Sequence, residues 1–394
     1  MVARAYKRIA FGVLLLYVLY LAGGIALAAT GVLSKVYFFP GWALKAPSHD
    51  ASAFAPDGPI VRYQSGAALS TAIVPRGAGL LIQTDTLTDP ARSTVRCYVN
   101  ETGTSFTVPL HPRHTVEPSE YPAPAKMLVV SDIEGNFKGL DLLLRTTGVV
   151  DSAYRWRFGN GHLVVVGDVF DRGLQVTECL WLLYKLEQEA ARAGGKVHFI
   201  LGNHELMNLT GHYKYVRRKY RRNADSLRLD YAAWYGPETE LGRWLRTKNV
   251  VEKIGSTLFV HGGISPEVLG LRPTLAALNE QARNRLDAPP ARNPAGLAKV
   301  LASPQLSPDW YRGLAQQEAS AGHVQQVLTQ YGVRRMVIGH TPVTEITPLY
   351  GGKVVAIDLP HQENTDEQQL MKALWIENGR FYAIRTDTSR REEL

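Results

Sequence analysis

The sequence predicts an α/β fold for most of the chain, preceded by a transmembrane helix and a small all-β module. Three observations carry that reading. Short apolar, β-branched runs each end in a polar cluster. Lys126-Met-Leu-Val-Val-Ser131 leads into Asp132-Ile-Glu-Gly-Asn136, His162-Leu-Val-Val-Val166 into Gly167-Asp-Val-Phe-Asp-Arg-Gly173, and Lys196-Val-His-Phe-Ile-Leu201 into Gly202-Asn-His-Glu205. Helical periodicity fills the gaps between these runs, as parallel crossovers require. Ile9 to Ala29, near the start, carries no charge. Buried parallel strands read as continuous apolar runs, and ligands gather beyond their carboxyl ends. Asp132, Glu134, Asp168, Asp171, Asn203 and His204 are therefore expected on one edge. Unpaired carboxylates that close repel one another unless cations sit among them.

The chain has 394 residues, 45% of them hydrophobic, enough for one large domain and an appendage. The formal net charge is +8. Part of it flanks the apolar segment (Arg4, Lys7, Arg8) and part lies in Arg217-Arg-Lys-Tyr-Arg-Arg222. Such a run reads first as a solvated helix face and second as a contact for anionic lipid or an acidic substrate. No nucleic-acid module is recognisable, and one basic run does not make a DNA-binding protein. Cys97 and Cys179 belong to no Cys-x-x-Cys or Cys/His pattern and read as small buried hydrophobes in different domains.

From the start, residues 1–30 form an N-terminal transmembrane anchor or signal. The uncharged run is long enough to cross a bilayer. The cationic residues precede it, so the N-terminus stays inside and the rest crosses. Ala26-Leu27-Ala28 resembles a cleavage site, but the apolar run exceeds a usual signal core, which favours an uncleaved anchor over a secreted product. Residues 31–57, with Phe38-Phe-Pro-Gly-Trp42 and Pro47-Ser-His-Asp50, read as a juxtamembrane connector. Residues 58–112 hold strand candidates at Ile60–Tyr63, Gly79–Gln83, Thr94–Val99 and Ser105–Leu110, hence the small all-β module, read as a spacer. A Pro-rich linker follows at 113–125.

The α/β body runs from 126 to 386. Phe137–Thr147 and Thr177–Ala193 have helical periodicity, and Leu206–Leu245 reads as helical with an aromatic stripe of core or cleft-wall residues. Two further strands end in histidine clusters: Ser256-Thr-Leu-Phe-Val260 in His261-Gly-Gly263, and Arg335-Met-Val-Ile338 in Gly339-His340-Thr341. Arg272–Gln316 reads as an insertion of short helices ending in Ser307-Pro-Asp-Trp-Tyr-Arg-Gly313. Strands are expected at Lys353–Ile357, Ala373–Ile376 and Arg380–Ile384, the last two joined by a Glu377-Asn378-Gly379 hairpin. Residues 387–394 read as a charged, frayed tail.

These clusters supply the parts that hydrolysis of a phosphate monoester needs: a water made nucleophilic, positive partners for the phosphate oxygens and a proton for the leaving oxygen. A pair of metal ions provides the first and part of the second. Asp168, in the middle cluster, is the bridging candidate. Asp132 and Glu134, two apart on a turn, reach one metal; Asn203, His261 and His340 serve the other. Oxygen and nitrogen donors without thiolate suit Mn, Fe or Zn. His204, beside a ligand, is the general-acid candidate, with Asp171 holding its other nitrogen. Arg172 and Arg312 offer planar forks for phosphate. Taken singly, each piece has a duller reading: a turn, a satisfied histidine, a helix cap. Five such clusters in one order, each after an apolar strand, do not.

With these residues in place, the chain resembles the metallophosphoesterase superfamily in its phosphoprotein-phosphatase-like branch. The matching pieces are Asp132-Ile-Glu-Gly135, Gly167-Asp-Val-Phe-Asp-Arg-Gly173, Gly202-Asn-His-Glu205, His261-Gly-Gly263 and Gly339-His340. Gly242-Arg-Trp-Leu-Arg246 and Trp310-Tyr-Arg-Gly313 look like bacterial Shewanella-like protein phosphatases. The resemblance spans about residues 126–360. It implies a calcineurin-like fold, a β-sandwich core flanked by helices, with two catalytic metals and phosphomonoester hydrolysis. It also implies Asp132 and Asp168 on one metal, Asp168, Asn203, His261 and His340 on the other, His204 with Asp171 as the acid pair, and Arg172 and Arg312 on phosphate. One departure matters: Glu134 stands where the family usually has His, adding a negative charge and a harder donor.

The expected function is thus a dinuclear, metal-dependent phosphomonoesterase acting on a phosphoprotein or small phosphomonoester, anchored by its N-terminal helix. The composition has a bacterial character, which with that orientation places the catalytic domain on the periplasmic side. A nucleotide or dinucleoside polyphosphate hydrolase of the same fold is the alternative within the class. A catalytically silent, membrane-anchored scaffold is the alternative outside it.

Overall fold

The computed structural model describes residues 2–29, 35–38, 42–45, 54–64, 67–287, 292–388 and 390–394. They form two compact units: Met1–Ala55 with Arg218–Asn223, and Pro56–Arg217 with Ala224–Leu394.

In the first unit, α1 (Val2–Ala29) is followed by β1 (Lys35–Phe38) and β2 (Trp42–Lys45), an antiparallel pair. Tyr6–Leu27 is long and apolar enough to cross a membrane, with a mean hydropathy of 2.3. Its large side chains, including Phe11, Leu14 and Leu16, are exposed. Val36 of β1 packs where Gly24 leaves room on the helix. Asn223 exchanges two hydrogen bonds with the Ala55 backbone, at 3.0 and 3.1 Å, tying Arg218–Asn223 into this unit. Most of the connector motifs, Phe39–Gly41 and Pro47–Asp50, lies outside the described residues.

The second unit opens with a meander of β3 (Asp57–Gln64), β4 (Ala67–Arg76) and β5 (Gly79–Leu87), then a hairpin of β6 (Thr94–Val99) and β7 (Thr104–Pro109). The four strand candidates form, with β4 inserted among them. Cys97 on β6 and Cys179 are both buried and are not joined in a disulfide.

Next come β8 (Glu120–Tyr121), β9 (Lys126–Val130), α2 (Phe137–Thr146), β10 (His162–Val166), α3 (Val176–Arg192) and β11 (Lys196–Ile200). The expected crossovers are present, and β9, β10 and β11 pair in parallel. The long helical reading of Leu206–Leu245 needs correction. It resolves into α4 (Asn203–Leu209), α5 (Arg218–Leu227), a 3-10 turn at Tyr231–Tyr235 and α6 (Glu240–Leu245). Left-handed Arg228 ends α5, the Asp230 side chain caps the turn on Ala232, and Thr239 caps α6 on Gly242.

The remaining elements are β12 (Val251–Ile254), β13 (Thr257–Val260), α7 (Pro266–Gly270), α8 (Leu275–Asp287), α9 (Gly296–Leu301), α10 (Ala321–Tyr331), β14 (Arg335–Ile338), β15 (Thr347–Leu349), β16 (Val354–Ala356), α11 (His361–Gln368), β17 (Lys372–Glu377), β18 (Arg380–Arg385) and β19 (Arg391–Glu393). At the β17–β18 hairpin, Asn378 and Gly379 are both left-handed (φ 50° and 77°), the geometry that the Asn-Gly pair favours. The chain end is not frayed: β19 pairs with β18, Arg391 ion-pairs with Glu377 and stacks 3.9 Å above Trp375, and Leu394 packs on the core.

Two six-stranded sheets make the sandwich, ordered β11-β10-β9-β17-β18-β19 and β15-β16-β14-β13-β12-β8. Alternate residues of the first sheet (Met127, Val129, Val164, Val166, Ile200, Leu374) meet Phe259, Val337 and Val355 of the second in one buried cluster. β13, β14 and β16 also run parallel. The strands of the first parallel set lead into Asp132, Asp168 and Asn203, and those of the second into His261, His340 and Asp358.

Candidate metal centre

Most of the chemistry-bearing residues sit where a buried strand ends and the chain must turn sharply, whereas Arg312 lies in the loop between α9 and α10. Six of them hold a left-handed backbone: Asp132 (φ 53°), Glu134 (49°), Asp168 (55°), Asp171 (69°), Arg172 (54°) and His340 (65°). A non-glycine residue pays about 1–2 kcal/mol for that conformation, and such outliers persist where their surroundings over-determine them. Here the loops brace one another. Asp132 N–H donates to Gly167 O (3.0 Å), Glu134 N–H to Asp168 O (2.9 Å) and Gly135 N–H to Val169 O (2.8 Å). Glu205 is the keystone. Its Oε2 accepts from the backbone N–H groups of Asp168 (2.8 Å) and Gly202 (2.7 Å), and its Oε1 from those of Val169 (2.7 Å) and Phe170 (3.1 Å). Gly202 is required by space, since a Cβ there would lie 2.2 Å from Asp168 Oδ1.

The bracing brings the predicted ligands together. Asp168, His261 and His340 present ligand atoms within 4.8 Å of one another, and so do Glu134, Asp168 and His204, so Asp168 belongs to both groups. His261 Nε2 lies 3.0 Å from Asp168 Oδ2 and 3.1 Å from Asn203 Oδ1. Its Nδ1 faces Val166 O at 2.7 Å; a proton there donates to the carbonyl and leaves Nε2 for an ion. Asp132 Oδ2 accepts from the His340 N–H at 3.2 Å. His204 Nδ1 sits 2.7 Å from Asp171 Oδ2, its Nε2 3.8 Å from Asp168 Oδ2, and its N–H donates to Asp168 Oδ1 at 3.0 Å.

The electrostatics are those of an acidic chamber in want of cations. Burial pushes Asp132 up to about 7, with His261 opposing and Asp168 and Glu134 adding repulsion. Burial also raises Glu134, against the pull of the Arg172 guanidinium with which it pairs. Asp358 rises to about 8 through burial and the nearby Asp132. Asp168 goes the other way: despite burial, His261 and His204 hold it well below the usual carboxylate range. Burial would lower His261, but Asp168 and Asp132 carry it to about 10. Burial and the His261 charge press His340 down to about 2, leaving it neutral, and its buried Nε2 has no hydrogen-bond partner. An orphaned imidazole nitrogen beside buried carboxylates, an amide oxygen and a second imidazole is a donor set that fits Mn, Fe or Zn.

All ten predicted residues border this chamber, but the two arginines are engaged differently. Arg312 Nη1 donates to His340 O (2.9 Å) and Thr341 Oγ1 (3.3 Å), bracing the ligand loop. Arg172 ion-pairs through Nη1 with Glu134. Sequence reasoning missed Glu205 and Asp358. Tyr215, from the aromatic stripe read as core or cleft wall, has its ring 5.0 Å from that of His204. The edge-on contact of Trp310 with His340, at 5.3 Å, was not foreseen. Glu205 alone left a signal, an acid at the third helical position after Gly202.

Residues 125–344 match the calcineurin-like phosphoesterase family. A cold-active protein-tyrosine phosphatase from a psychrophilic Shewanella species has a similar structure, with a TM-score of 0.76 at 32% identity over 86% of this chain and 99% of that one. Shewanella-like protein phosphatase 2 of Arabidopsis thaliana is 27% identical over 57% of this chain and 68% of its own length. Shewanella-like protein phosphatase 1 of Plasmodium berghei is 28% identical over 55% and 61%.

Proposed function

We propose that this chain, which belongs to the calcineurin-like phosphoesterase family, removes phosphate from proteins at a two-metal site and does so while tethered to a membrane. It is a metal-dependent phosphatase. The observation that supports the two-metal reading best is the position of Asp168, common to two ligand groups. Asp132, Glu134 and Asp168 would hold one ion, and Asp168, Asn203, His261 and His340 the other. Bound there, the ions would supply a nucleophilic water and neutralise phosphate charge.

The chain's own groups do the rest. Asp171 fixes the His204 tautomer through the 2.7 Å contact and leaves Nε2 facing the chamber as general acid for the departing oxygen. Burial would lower His204, but Asp168 and Asp171 raise it to about 9, so it carries its proton at neutral pH. Arg172 and Arg312 grip phosphate oxygens. The Tyr215 and Trp310 rings give the chamber aromatic walls. With the name of the structural neighbour, they make phosphotyrosine the first substrate to test. The apolar helix at Tyr6–Leu27 would act as an uncleaved anchor, with the catalytic unit on the periplasmic side and residues 58–112 as a spacer.

The test is hydrolysis of phosphotyrosyl, phosphoseryl and phosphothreonyl peptides and of nucleotides by detergent-solubilised protein supplied with Mn, Fe or Zn. Phosphopeptide turnover that needs metal and is lost in Asp168→Asn supports the reading. Metal-independent turnover, or full activity in that variant, overturns it.

A further inference from the structure

Glu134 answers to two partners. Its carboxylate ion-pairs with Arg172, and it also offers an oxygen within 4.8 Å of the ligand atoms of Asp168 and His204. A cation drawing on Glu134 weakens its hold on the guanidinium, because both compete for the negative charge of one carboxylate. The backbones of the two residues are fixed. Glu134 N–H is bonded to Asp168 O at 2.9 Å, and Arg172 O accepts from Arg217 Nη1 at 3.0 Å. Only side-chain torsions remain to choose a partner. The Arg172 side chain is 54% exposed and that of Glu134 17%. An ion pair that open to water contributes little, so a multiply charged ion beside Asp168 outcompetes it. An imidazole at this place carries no negative charge and so could not make the ion pair.

Resting on the two-metal reading above, we propose that Glu134 is a positioning residue that exchanges partners. It parks Arg172 in the metal-free protein and turns to the ion as metal loads, and the loading thereby releases Arg172 to phosphate. The device makes phosphate capture conditional on metal, because a free arginine in the metal-free site would bind phosphate unproductively. It also makes Arg172 a competitor of the metal, a consequence that a simple phosphate-gripping arginine does not have.

That consequence is measurable without turnover. The full chain in detergent is stripped with a chelator and titrated calorimetrically with Mn2+ in the absence of phosphate. The four proteins are the wild type, Arg172→Ala, Glu134→His and the double variant. Removing Arg172 is expected to tighten the Glu134-dependent Mn2+ site about twofold to fivefold, the worth of a half-exposed ion pair. In the Glu134→His background the same removal is expected to have little effect. An equal gain in both backgrounds would mean that Arg172 acts only as a distant charge, and the exchange is overturned; no gain in either overturns it as well. Failure of the wild type to bind Mn2+, Fe or Zn would instead sink the two-metal reading itself, a result distinct from either.

Discussion

Glu205→Gln is the most revealing single perturbation, because the two carboxylate oxygens have different jobs. Oε1 accepts from Val169 and Phe170, and Oε2 from Asp168 and Gly202. A glutamine keeps one oxygen but puts an NH2 group where the other stood, facing two backbone donors. Whichever way the amide turns, two amide groups buried in the loops lose their acceptor. Each such loss costs about 1–3 kcal/mol, so the substitution should destabilise the catalytic unit by about 2–6 kcal/mol. The damage should also reach the metals, since all four donors lie in the loops that carry Asp168 and Asn203. The assay is urea unfolding of the detergent-solubilised chain, followed by tryptophan fluorescence, with metal content measured in parallel. An unfolding free energy within about 0.5 kcal/mol of wild type, with full metal content, would refute the keystone role, since changes of that size are ordinary for sites without such features.

Two further outcomes follow. His204 is raised above the ordinary histidine value of 6.5 to about 9 in the metal-free protein, so its proton-linked stabilisation is complete below about 6.5 and lost as pH rises through about 9. Cations on Asp168 remove part of that support. The alkaline limb of kcat should therefore fall below about 9 in the loaded enzyme, and Asp171→Asn should move it lower still; a limb that stays put in that variant would exclude Asp171 as the partner. Gly202→Ala keeps an ordinary backbone conformation (φ −89°) but drives a Cβ into Asp168, so it should cost about 1–3 kcal/mol of stability and weaken metal binding, read by denaturation and metal analysis.

The ligand residues were legible because each follows a continuous apolar strand, and a parallel sheet must deliver its strand tips to one edge. The irregular pieces were not. β4 escaped because Ala67-Ala-Leu-Ser-Thr-Ala72 lacks the bulky β-branched run that marks a strand, although it pairs along its length with β5. The stretch from Leu206 to Leu245 keeps helical composition throughout, and its breaks come from caps at Asp230 and Thr239 and a left-handed Arg228, local features that periodicity averages away. The last residues looked solvated, yet Arg391 finds both Glu377 and the Trp375 face. Asp358 is a single acid after Val-Val-Ala-Ile, without a cluster to flag it. The Glu134–Arg172 pair joins residues 38 apart and depends on two left-handed turns that no spacing rule encodes.

Everything proposed for this enzyme depends on a pair of cations sharing Asp168. Anomalous diffraction from crystals grown with Mn2+ counts and places those ions directly. The account requires two peaks about 3.5–4 Å apart, both within coordination distance of Asp168, one of them also touching His261 and His340. A single peak, or two that do not share Asp168, would contradict it.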